Sequence, residues 1–159
     1  MRVEHLNPFS EACGAVIWAL FGSEPDRGGL AVRPDLETTQ AINLASEVSG
    51  DLQGMVMLGM SLAAADRIAS KILKAPVVTF DAEGANAIAE FGCMVHARAA
   101  ELLAAEGFAC TISSPAVVRG KNAKLNSSEA PALTIPVHIN GLGSIEISVS
   151  VQDQRQQVA

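Results

Sequence analysis

Two side chains near the middle of the chain could act together on a bound partner. Glu90 and Cys93 stand three residues apart within DAEGANAIAEFGCMVHARAAELLAAEG, Asp81 to Gly107. On a helix, residues three or four apart are surface neighbours, so this carboxylate and this thiol would face the same way. Asn86, Ala97 and Glu101 fall on the same line, and Met94 borders it. A carboxylate there could pair with a partner's cation. The Asn86 amide could both donate to and accept from a single water, whereas a thiol is a weak donor and a weak acceptor. Without further context an exposed Glu is a solvated charge and a free Cys is a small packing group. A redox-sensing role for Cys93 would need a nearby cation, which only His96 and Arg98 could supply.

The chemistry therefore depends on a helix that keeps these residues on an open face. Asp81 suits an N-cap, because its short acceptor side chain can take free amide hydrogens of the first turn. Gly107 suits the C-terminal stop. Between them Ile88, Phe91, Gly92, Val95, Ala99, Leu102 and Leu103 recur at helical steps and form one apolar stripe opposite Glu90 and Cys93.

The remaining elements follow in order. Asn7-Pro8 reads as a helix start, with Phe9, Cys13, Val16, Ile17, Leu20 and Phe21 as its buried stripe and Gly22 as its end. Ser23 to Pro34 reads as a loop with a short strand at Leu30 to Arg33. Thr38 to Ser49 and Gly54 to Met60 read as a β-hairpin about the turn Ser49-Gly50-Asp51. Ser61 caps a short helix, Leu62 to Leu73, which ends before Pro76. Ala109 to Ser113 is a strand interrupted at Pro115, which marks an edge or a bulge because proline cannot donate to a ladder. Arg119 to Ala130 reads as a surface loop with a small basic cluster. Ala132 to Asn140 and Ser144 to Val151 form a second hairpin about Gly141-Leu142-Gly143.

Helices and strands do not alternate one for one, so the expected class is α+β. The two hairpins would pair into one antiparallel sheet, with the long and short helices on one face and the N-terminal helix beside them. The other face, or a free edge strand, would serve self-association into a homodimer. Residues 1–152 would form one domain and 153–159 a polar tail that frays.

Composition narrows the function. The net charge is −6 with scattered basic residues, which argues against nucleic acid as a partner. Three Cys and three His without close spacing argue against a disulfide framework and against a metal site. Cys13 and Cys110 read as packing groups, and His138 as a sheet residue. No apolar run reaches the length of a bilayer crossing, and the first 22 residues read as an amphipathic helix rather than a signal peptide. The expected protein is cytoplasmic, with no membrane partner.

Several stretches, in this order, resemble the CheX-type members of the CheC/CheX/FliY chemotaxis phosphatases. They are Asn7-Pro8-Phe9, Ser49-Gly50-Asp51-Leu52-Gln53-Gly54, Ile68-Ala69-Ser70-Lys71-Ile72-Leu73, and Ser113-Ser114-Pro115-Ala116-Val117-Val118-Arg119-Gly120. The resemblance covers nearly the whole chain. It implies docking on a phosphorylated CheY-like response regulator and hydrolysis of its aspartyl phosphate. The family hallmark is Glu-x-x-Asn on the long helix: the Glu pairs with the regulator's lysine and the Asn amide orients the attacking water. Glu90 matches the Glu, and Met94 matches the residue that commonly follows the Asn. The Asn position is Cys93. The resemblance thus assigns docking to Glu90, Met94 and Ala97 and catalysis to Glu90 and the Cys93 position. Asn86 or His96 would substitute for the missing amide. It implies no cofactor bound to this chain, since Mg²⁺ belongs to the regulator. The alternative is a catalytically inactive regulator-binding or dimerisation module.

Overall fold

The computed structural model describes residues 3–77, 81–125 and 131–157. Among these, three helices, α1 (Val3–Phe21), α2 (Leu62–Leu73) and α3 (Ala82–Ala105), cover one face of an eight-stranded antiparallel sheet. Its strands are β1 (Asp26–Arg27), β2 (Ala31–Arg33), β3 (Ile42–Gly50), β4 (Leu52–Met60), β5 (Cys110–Ile112), β6 (Ala116–Arg119), β7 (Ala132–Ile139) and β8 (Gly143–Asp153). The expected α+β class holds. The two hairpins, β3–β4 and β7–β8, join through a long β4–β8 ladder running from Leu52 opposite Asp153 to Met60 opposite Ile145.

Alternation along these strands sorts their side chains. Ile42, Leu44, Val48, Val56, Leu58, Met60, Ile145, Ile147 and Val149 point towards the helices and are buried with Leu6, Phe9, Ile17, Ile68, Phe91, Val95 and Leu103. β5 and β6 both pair with β3, and Pro115 stands in the break between them, at the sheet edge as expected. At the other edge β1 and β2 both pair with β7.

The helix caps are local and match the sequence. The Ser61 side chain accepts from the Ala64 amide at 3.1 Å, and that of Asp81 from the Gly84 amide at 2.9 Å. Gly107 takes φ +93°, a left-handed conformation that glycine adopts without a Cβ clash. Lys74 caps the end of α2 at φ +56°, an unusual place for a residue other than glycine.

Three expectations differ from the structure. First, α1 begins at Val3 and contains Pro8, instead of starting at Asn7. Pro8 has no N–H for the turn below it. Burial of His5, Leu6 and Phe9 against the rest of the domain offsets that loss. Second, the sheet face away from the helices is not open. Leu36 is buried there with Met57 and Ala132 in a small second core. Thr39 and Gln40 donate to the Glu146 carboxylate, which also pairs with Arg33 at 3.3 Å. Third, the first part of the expected polar tail is built into the fold, while residues 158–159 lie outside the described residues. β8 runs to Asp153, and a 3-10 turn (Gln154–Gln157) brings Arg155 onto Asp153, over the Phe108 ring at 4.0 Å, and to the Gly107 carbonyl at 3.2 Å. The end of α3 is thereby tied to the end of β8. Of the expected loop from Arg119 to Ala130, residues 126–130 lie outside the described residues.

Candidate functional site

The site is built on α3, and its orientation follows from what the opposite side of that helix touches. Ile88, Phe91, Val95, Ala99 and Leu103 are fully buried, while Leu102 is half-buried. Gly92 fixes the closeness of approach. A methyl group at residue 92 would lie 2.9 Å from Pro115 Cγ and 3.2 Å from Leu44 Cδ1. The helix therefore presses on the break between β5 and β6, a contact that the sequence reading missed. Its signal was a glycine inside an otherwise regular apolar stripe.

With that side seated, Asn86, Glu90, Cys93, Met94, Ala97 and Glu101 are exposed along α3. The expected face is thus assembled on one helix. Asn86, Glu90 and Cys93 make no hydrogen bond or ion pair among the described residues, so their polar groups are available to a partner. Glu101 is engaged by Arg98, whose guanidinium lies 3.1 Å from its carboxylate. Cys93 is the exposed cysteine. Cys13 is fully buried, and burial pushes its thiol up to about 12, which leaves it protonated and inert. Cys110 is half-buried in β5.

His96 differs from expectation. It does not face a partner but is 4% exposed, edge-on to Phe9 of α1 with ring centroids 6.2 Å apart. Neither ring nitrogen has a hydrogen-bond partner among the described residues. Burial lowers its pKa from 6.5 to about 4. It therefore cannot substitute for a water-positioning amide. Arg98, the other cation near Cys93 in sequence, pairs with Glu101.

The same burial makes His96 a pH-dependent element of stability. Its folded pKa lies below its unfolded value, so the unfolded chain binds the extra proton between the two. Stability is fully present above pH 6.5 and is lost as pH falls towards 4. The loss amounts to roughly 3 kcal/mol in all, with about 2 kcal/mol gone by pH 5. Thermal melts of wild type and His96→Phe at pH 7 and pH 5 check this: the wild type should lose more stability than the variant between the two.

Among the described residues no three His, Cys, Asp or Glu side chains converge to hold a metal ion. No described helix is long and apolar enough to cross a membrane.

The sequence matches the family model described as chemotaxis phosphatase CheX over residues 43–138. No curated protein matches it. The fold is similar to that of the chemotaxis protein CheX from Desulfovibrio desulfuricans, with a TM-score of 0.82 at 18% identity, covering 94% of this chain and 99% of that one. A CheC-like superfamily protein from Shewanella sp. PV-4 gives a TM-score of 0.82 at 21% identity, over 96% and 99% of the two chains. The structure of a CheX–CheY–BeF3–Mg²⁺ complex from Borrelia burgdorferi gives 0.76 at 22% identity, over 95% and 99%. The family match spans more than half of this chain, the fold agrees across nearly all of it, and the helix that would carry the family hallmark lies within the matched residues: the chain belongs to the CheX family of chemotaxis phosphatases.

Proposed function

We propose that this chain docks on the phosphorylated form of a CheY-like response regulator through the exposed face of α3 and, with Cys93 in place of the water-positioning Asn, hydrolyses the aspartyl phosphate slowly or not at all. The observation that carries this reading is an exposed Glu90, without a partner among the described residues, and an exposed thiol three residues on. The carboxylate remains free to meet a lysine of the regulator, with Met94 and Ala97 extending the contact. The thiol cannot hold a water as an amide does. A CheX relative found in complex with CheY supports the choice of partner. We place the activity in the cytoplasm, in keeping with the free state of all three cysteines.

Reversing the charge at Glu90 tests the docking face. Glu90→Arg is expected to weaken binding to an acyl-phosphorylated or phosphomimetic regulator by at least ~30-fold, the scale of a lost interfacial charge pair. Calorimetric titration measures it, and unchanged affinity would remove α3 as the docking surface.

A second reading keeps catalysis. Asn86 is exposed one turn before Glu90 and has no partner among the described residues, so its amide could orient water from the opposite side. Measurable phosphatase activity that disappears in Asn86→Ala would favour it.

The homodimer would form along a sheet edge rather than through the covered back face. β2 offers Val32, 67% exposed on an edge strand. Light scattering after size exclusion is expected to give a dimer for wild type and a monomer for Val32→Glu.

A further inference from the structure

A second site lies away from the α3 face, where the ends of α1 and α2 meet the turn between β7 and β8. The three elements enclose a groove of about 670 Å³, within the range of small-ligand sites. Its apolar wall includes Phe21 and Leu142, and Asn140 adds an amide at the rim. Arg67 and Lys71 of α2 line it, with Lys74 at the cap of that helix. Arg67 and Lys71 stand four residues apart on α2, the helical spacing that brings side chains to one side, and Lys74 joins them from the left-handed cap that ends the helix.

Charge makes this groove distinctive. The chain carries 17 acidic residues against 11 basic ones, yet no Asp or Glu is among the described residues lining the groove. Arg33, Arg98, Lys124 and Arg155 each have a carboxylate within ion-pair distance. Arg67, Lys71 and Lys74 have none among the described residues; Lys71 rests over the Phe21 ring, 5.6 Å from its centroid. Three exposed cations line one groove with no carboxylate within ion-pair distance among the described residues, an arrangement that favours an anion between them. A monocarboxylate would neutralise only one of them. A phosphate monoester carries close to two negative charges and three acceptor oxygens, which suits a guanidinium and two ammonium groups. The volume and the apolar wall leave room for an organic body beyond the phosphate. Lys74 adds an independent sign, since it occupies a left-handed position where glycine would be unstrained.

We infer that this groove binds an organic phosphate of about mononucleotide size, with Arg67, Lys71 and Lys74 on the phosphate and Phe21 and Leu142 against its body. The site is separate from Glu90 and Cys93 and does not depend on the phosphatase reading.

The test is calorimetric titration of the full chain with 5′-AMP, adenosine and inorganic phosphate. The expected result is a Kd for 5′-AMP below ~1 mM, with both fragments binding at least ~10-fold more weakly. Combining Lys71→Gln with Lys74→Gly should weaken 5′-AMP by at least ~10-fold, while Lys121→Gln should leave it unchanged. The double variant should melt no lower than wild type, since Lys71 is exposed and Lys74→Gly removes a left-handed side chain, so its loss of affinity cannot be ascribed to unfolding. Absence of 5′-AMP binding, equal binding of adenosine, or full affinity in the double variant would each overturn the proposal. Phosphate binding as tightly as 5′-AMP would reduce the site to a bare anion contact and overturn the ligand class.

Discussion

Cys93→Asn is expected to raise the rate at which this chain removes phosphate from a cognate response regulator by about 10²–10³-fold. The effect is large because phosphoryl transfer leaves the enzyme little covalent work: rate comes from placing the nucleophilic water in line and from electrostatics. An amide fixes a water by donating and accepting at once, and the thiol at 93 does both poorly. The substitution needs no rearrangement of the helix. Cys93 is exposed, and surface changes of this kind usually alter stability by less than about 0.5 kcal/mol. The measurement is decay of the phosphorylated regulator, followed with and without each variant. The gain should vanish in Cys93→Asn combined with Glu90→Ala, because the new amide acts only when the partner is docked. A wild type already as fast as Cys93→Asn would show that another group positions the water, and Asn86 would be changed next.

Phe91→Ala is expected to cost about 3–5 kcal/mol of folding stability, from the lost transfer of the ring and the cavity left behind. For a chain of this size that corresponds to a fall of roughly 8–16 °C in Tm. Phe91 is fully buried in the core shared by α1, α2, α3 and the sheet, and is among the largest side chains there. It lies two residues before Cys93 on the opposite side of the same helix, so the pair separates seating from function. Phe91→Ala should destabilise and should also weaken regulator binding at temperatures where α3 loosens, while Cys93→Ala should leave the melt unchanged. Thermal denaturation by circular dichroism distinguishes them. A drop of less than ~1 kcal/mol in Phe91→Ala would mean that α3 is held chiefly by its ends, through Asp81 and Arg155, and not by its stripe.

Much of the candidate site is legible in the amino-acid order alone. The Glu90–Cys93 face can be read because helical periodicity is a local property. Once Ile88, Phe91, Val95 and Ala99 are assigned inward, Glu90 and Cys93 must point out. Ser61, Asp81 and Gly107 mark their helix ends for the same reason, since a cap is decided by the few residues around it. Pro115 announces an edge because a residue without an N–H cannot sit in the middle of a ladder. The hairpins about Asp51 and Leu142 come from turn chemistry and alternation.

What tertiary structure decided were the features that depend on residues far apart in the chain. Asn7-Pro8 carries a strong start signal, but packing of His5 and Leu6 extends α1 back to Val3. His96 borders the apolar stripe, and its fate turned on whether another element would widen that stripe; α1 does, with Phe9, and a residue expected at the partner surface became an uncharged core group. The back of the sheet looked open because alternation says which side chains point there, not what lies over them. Leu36, Thr39 and Gln40 cover it through contacts with Met57, Ala132 and Glu146, roughly one hundred positions away in the last case. The basic groove likewise needed three separate elements to meet. Periodicity and capping act over a few residues and are written in order along the chain. Burial and charge convergence arise when distant segments close on one another, and only the folded chain brings those segments together.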